Sequence, residues 1–255
     1  MAERKPPIAE TAATAWRDAF RAIEAMPVVL GTAFALYLVM SLTNSAINAS
    51  PYALVGSPWL PIISIVANVV QAVLLAPLAI AVHRFVLLGE KANRYPFEPN
   101  GSRFARFAGF AILVKILWLI PNTIDTLIPN ARVVTSILLI AIIIILLRRV
   151  ILFPAIAVDA PGATWSKAGL DTKGSSWRVA FVFVLTALPF LIVNGLLALF
   201  WLQLTPEAQS SAAGFLFFAV IGAGIAIVAL CSFAAAASHI FQARADIMTR
   251  PEATP

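Results

Sequence analysis

Charge is what this chain has least of. Asp, Glu, Lys and Arg make up 12% of its 255 residues, where soluble domains carry roughly 25%. The 12 acidic residues avoid the middle of the long apolar runs. That speaks against a proton-coupled transporter, which commonly keeps an acid within its spans. A single cysteine, Cys231, excludes an internal disulfide and a cysteine-rich metal site; it reads as a small buried residue of an apolar run. The two histidines, His83 and His239, stand at the ends of apolar runs with no acidic cluster beside them, and read as polar caps of membrane helices. A metal-dependent phosphodiesterase would need carboxylates and histidines gathered at one site. No HExxH, GxSxG, CxxC or P-loop pattern occurs. Neither an enzyme nor a cofactor or metal holder is expected. A cleavable signal peptide is not expected either, because 26 residues with four acids precede the first apolar run.

What the chain has in excess is apolar surface: 61% of it is hydrophobic. A soluble fold of this size exposes too much surface to hide that fraction, so lipid is the expected solvent. Six runs approach the bilayer-matched length of about 20 residues: 27–47, 60–82, 106–127, 129–149, 178–204 and 214–240. The expected fold is all-α, a polytopic bundle of six transmembrane helices with short interfacial helices. Its parts are a cytoplasmic N-terminal segment (1–26), the six-helix domain (27–241) and a cytoplasmic tail (242–255). Lysine and arginine fall 16 on one side of these runs and one, Arg132, on the other, with Lys115 inside a run. The positive-inside rule then sets both termini in the cytoplasm. This asymmetry also accounts for the formal charge of +6, so no nucleic-acid partner is expected. Thirteen arginines against five lysines, with abundant alanine, suit a bacterial inner membrane.

Two stretches look interfacial. Residues 9–25 set Trp16, Ala19, Phe20 and Ile23 at helical spacing, with Arg17, Asp18, Arg21 and Glu24 elsewhere around the helix. Trp16, Arg17, Phe20 and Arg21 would meet headgroups if this helix lies in the interface; a capping helix packed on the protein itself explains the pattern equally well. The second stretch is 148–178, which carries five of the eighteen basic residues. Arg132 and Arg148 are 16 residues apart, about 24 Å of helix, so both can snorkel to opposite faces. The apolar 150–158 would then run along the inner surface, broken at Pro154, with Trp165 as an anchor and Gly174 ending a short helix. Arg148, Arg149, Trp165, Lys167, Lys173 and Arg178 are the candidate contacts for anionic lipid or a solute.

Lys115 is the sharpest single residue, because ionisable groups this deep in a span are costly and by default suggest function. It either meets an anionic ligand or rests on amides such as Asn68, Gln71 or Asn194; Asp125 lies ten residues further along. Pro77 and Pro189 read as kinks, and Gly222 and Gly224 as a place for close helix packing. AVHRF, LRRVI and ASHIF close alternate runs as a weak hairpin repeat would, although arginines and aromatics gather at any inner boundary.

The 148–178 stretch resembles a bacterial family of six-span membrane proteins related to the membrane domain attached to some glycerophosphoryl diester phosphodiesterases. The matching residues are Arg149, Pro154, Asp159, Trp165, Ser166, Thr172, Lys173 and Gly174. The resemblance implies the six-helix fold and no assigned activity, and the phosphodiesterase domain is expected to be absent. Two functions follow from the residues. The first is a non-catalytic inner-membrane scaffold, assembly factor or lipid-associated protein, with anionic lipid of the cytoplasmic leaflet and other membrane proteins as partners. The alternative is a transporter or channel for a small anionic or amphipathic solute, with Lys115 in its path. A hydrated cavity reaching Lys115 would favour the second, and a dry, filled core the first.

Overall fold

The computed structural model describes residues 8–49, 59–128, 132–205 and 211–249, and every regular element among them is a helix. In chain order these are α1 (Ile8–Ala25), α2 (Pro27–Ala49), α3 (Trp59–Leu88), α4 (Ser102–Leu127) and α5 (Arg132–Leu147). There follow α6 (Leu152–Ala157), α7 (Trp165–Asp171), α8 (Ser176–Gln203), α9 (Ala212–Arg244) and α10 (Asp246–Thr249). Among the described residues, four segments are long and apolar enough to cross a membrane: Ile65–Leu88, Ser102–Pro121, Ser176–Gln203 and Ala212–Arg244. The pair α1 and α2, bent by 97° at its junction, makes five if counted as one span. With 16 residues, α5 is about 24 Å long, less than the ~30 Å of a hydrocarbon core. Arg4, Lys5, Pro129 and Arg250, and the side chain of Asp125, lie outside the described residues.

Pro77 and Pro189 sit inside unbroken helices. Pro27 does break one: it has no N–H to return to the Ile23 carbonyl, and there α1 turns into α2 over the buried Met26. The wholly buried face of α1 is a stripe of small residues, Ala12, Ala15, Ala19 and Ala22, which lets its backbone approach α9 and α8 closely. Trp16 stacks on Phe190 with ring centroids 4.7 Å apart, and His239 Nε2 meets Asp18 Oδ2 at 2.9 Å. Thus α1 is packed on the protein, and Arg17, Phe20 and Arg21 form its outward side.

The end of the bundle formed by the second half of α9 is closed on all sides. There α9 packs against α1, α2, α3, α6 and α8, and Ala234, Ala235, Ala236, Ala237 and Ser238 are buried in succession. A helix buried all round needs small side chains wherever its neighbours press close. Gly222 and Gly224, expected to serve this purpose, do not: a Cβ at either would meet nothing within 4 Å.

The stretch after α5 corrects the surface-hugging expectation. Leu152, Pro154, Ala155, Ile156 and Ala157 are buried, with α6 held against α3, α4 and α9. Pro154 is in the first turn of α6, where its missing N–H interrupts no bond. Buried backbone carbonyls need donors, and two arginines supply them. Arg84 Nη1 donates to the Ala157 carbonyl at 3.0 Å, and Arg106 Nη2 to that of Ala163 at 2.8 Å. Arg103 Nε donates to Asp159 Oδ2 at 2.8 Å, and Thr172 Oγ1 to the Arg148 carbonyl at 2.8 Å. The C-terminal α10 docks on the same belt: Asp171 accepts from the N–H groups of Ile247 and Met248 at 3.0 and 3.1 Å. Gly162 is required there, since a Cβ on it would stand 2.8 Å from Met248 Cα.

Candidate functional site: an alanine-walled cavity reaching Lys115

Between α3, α4 and α9 lies an open cavity of about 490 Å³, lined also by Tyr37 of α2, Phe153 of α6 and Phe183 of α8. Its walls are small because the sequence supplies alanine at facing positions. Ala72, Ala76 and Ala79 come from α3, Ala111 from α4, and Ala226, Ala229, Ala234 and Ala237 from α9. Phe107, Phe153 and Phe233 fill part of what the alanines leave. Volume and lining suit a small-molecule site: mostly apolar, with a few placed polar groups. Along α3 the lining runs from Gln71 to His83, 12 residues or about 18 Å.

One polar group is Lys115. Because α4 begins at Ser102, Lys115 is 13 residues from its start and 12 from its end, at the midpoint of a helix about 39 Å long. Its Nζ donates to Gln71 Oε1 at 3.3 Å, one of the amides the sequence offers it. A neutral amide at that distance compensates a part-buried ammonium only in part, and the cavity leaves room beside the amine for a further group.

His83, at the other end, is not a surface cap: it is 2% exposed and lines the cavity. Nδ1 lies 2.8 Å from Ser238 Oγ, and the ring tilts on Phe107 with centroids 5.9 Å apart. Chain order brings the two histidine-bearing segments together, since Ser238 immediately precedes His239. Periodicity gave no sign of this pairing; a polar Ser-His pair at the end of an alanine run is the only trace of it in the sequence.

The belt residues singled out from the sequence gather on a different surface. Arg149 lies over the Trp165 ring, 5.1 Å from its centroid. Gly169 makes room for it: a Cβ there would fall 1.2 Å from Arg149 Nη1. Partial burial, and then the neighbouring Arg148, pull the Arg149 pKa below the usual guanidinium value. Arg148 Nε donates to Ser176 Oγ at 3.1 Å, and Arg178 lies 5.0 Å from the Trp177 ring centroid. Trp165 is 37% exposed and stands edge-on to Phe110. The backbone N–H of Lys167 is received by Thr164 Oγ1, the N-cap of α7, and Lys173 is exposed. On α1, Arg21 pairs with Asp18 at 3.2 Å, Arg17 and Phe20 are exposed, and Trp16 is half-buried. Of all these candidates only Lys115 reaches the cavity.

No protein-family model, no curated protein and no solved structure matches the chain.

Proposed function

We propose that this protein is a membrane-embedded binding protein or carrier for a small anionic, amphipathic solute, whose charged group meets Lys115 and whose apolar part fills the alanine-walled cavity. One observation carries the reading. A lysine at the midpoint of an apolar helix opens on a cavity of about 490 Å³, with Gln71 alone at hydrogen-bond distance among the described residues. A scaffold or assembly factor, the role expected first from the sequence, has no use for such a space. The reading is of a binder and not a catalyst, in keeping with the missing catalytic motifs.

The same reading takes the belt end as the cytoplasmic face of a bacterial inner membrane, with six crossings and both termini inside. In support, α1, the 89–101 loop, the α6–α7 stretch and α10 share one end of the bundle, and the basic residues concentrate there. Exposed Arg17 and Lys173, with Trp165 and Trp177, would meet anionic headgroups. Kinship with the six-span family remains part of the proposal, resting on Arg149, Pro154, Asp159 and their neighbours.

The test is binding of tetradecanoate to the purified full chain in nanodiscs. A charge-assisted hydrogen bond contributes about 1.5–3 kcal/mol, so Lys115→Ala should weaken tetradecanoate roughly ten- to hundredfold while leaving tetradecanol unchanged. Equal affinity of tetradecanoate for both proteins would remove Lys115 from the site, and no binding to either would remove the function.

A further inference from the structure

The His83 end of the cavity has a chemistry of its own, set by a buried hydrogen-bond chain. Ser238 Oγ donates its one hydrogen to the Ala234 carbonyl, a turn back in α9, at 3.0 Å. If that hydrogen stays on the carbonyl, the oxygen accepts from His83, and the 2.8 Å contact has Nδ1–H donating to Oγ. The neutral imidazole then carries its lone pair on Nε2. Among the described residues no donor meets that atom, although His83 is 2% exposed and what exposure it has is to the cavity it lines.

The two ends are therefore complementary to different groups. Lys115 Nζ and the Gln71 amide receive an anion; His83 Nε2 receives a hydrogen-bond donor. Between them lies an apolar wall about 18 Å long on α3, the extended length of a chain on the order of fourteen carbons. We propose that the ligand is a two-headed amphipath: an acid at one end, a hydroxyl at the other, and an apolar chain between them. This rests on the carrier reading and goes further by naming the class of molecule. Ser238 is here a positioning residue, since it touches no ligand and acts by fixing which nitrogen of His83 carries the proton.

The measurement is a ratio within each protein: affinity for 14-hydroxytetradecanoate over affinity for tetradecanoate, on the full chain in nanodiscs at equal free concentration. The 14-methoxy analogue, which accepts but cannot donate, serves as the third probe. In the unaltered protein the hydroxy acid should bind about tenfold tighter than tetradecanoate, and the methoxy acid no tighter. His83→Phe should bring the ratio to about one. Ser238→Ala releases Nδ1 and lets the ring present N–H at Nε2 instead. The hydroxyl preference should then fall and the methoxy acid should gain, a reversal that loss of packing would not produce. If His83→Phe does not fold, Ser238→Ala decides alone. A ratio near one in the unaltered protein, with both acids still dependent on Lys115, overturns the two-headed ligand and leaves the carrier reading standing. A preference that survives both substitutions also overturns it. Binding of none of the probes overturns both readings.

Discussion

The two halves of the bundle have similar hydropathy and opposite fates. Toward the belt, Phe104, Phe107 and Phe110 of α4, Val179 and Val182 of α8, and nearly all of 231–241 in α9 are buried. Toward the other end, the same helices expose Ile116 and Trp118, then Leu191, Leu196 and Leu202, then Phe215, Leu216 and Phe217. Most of α5 is exposed as well, with only Thr135 and Ile142 buried. Hydropathy cannot tell these halves apart. What separates them is side-chain size and polar anchorage: the closed half is built on alanine stripes, with arginines holding the carbonyls between α6 and α7. In lipid there is no hydrophobic force pushing apolar helices together, so close packing of small residues and hydrogen bonds must do it. Large aliphatic side chains without such anchors are left on the outside, where apolar helices of this length suit lipid.

Substitutions in the two halves should therefore differ in cost, and detergent unfolding of the full chain can read the difference. The largest effect is expected at Ala235, 0% exposed in the ring of helices around α9. Ala235→Leu adds three carbons where no space exists and should destabilise by about 3 kcal/mol, at the upper end for overpacking; a loss under about 1 kcal/mol would mean the closed half is less tightly packed than described. Next is Arg84→Met. Its ion pair with Glu90, 50% exposed, contributes little, but the Ala157 carbonyl loses its donor. The expected cost is about 2 kcal/mol, and Glu90→Gln should cost far less; equal losses would assign the effect to the ion pair instead. The smallest effect belongs to the far half. Leu196→Ala, at a position 61% exposed, should change stability by no more than about 0.5 kcal/mol. A drop above 1 kcal/mol there would break the comparison, because it would require the exposed face of α8 to be covered by something other than lipid.

Several features were legible in the residues. Lys115 drew notice because an ammonium in an apolar run is costly, and Gln71 was among the amides named for it. The 148–178 stretch was visible as a basic belt, and the α7 helix within it begins at Trp165. Less legible was what the belt's neighbours do. Arg84, Arg103 and Arg106 were counted as charges on one side of a membrane, but their guanidinia hold Ala157, Asp159 and Ala163. The apolar 150–158 looked like surface chain because burial by distant helices leaves no periodic mark in six residues. His83 looked like a cap because its partner, Ser238, is 155 residues away.

By itself the sequence determined an all-helical chain, several of whose helices are long and apolar enough for a membrane, and charges kept to the stretches between apolar runs. Those properties depend on local composition and on the period of the helix. Tertiary structure alone decided that alanines from three helices face one another across a cavity, that Lys115 and His83 stand at its two ends, and that α6 is interior. Each of these depends on which helix faces which, and that depends on side-chain size and on hydrogen bonds between residues far apart in the chain, where hydropathy is the same on every side.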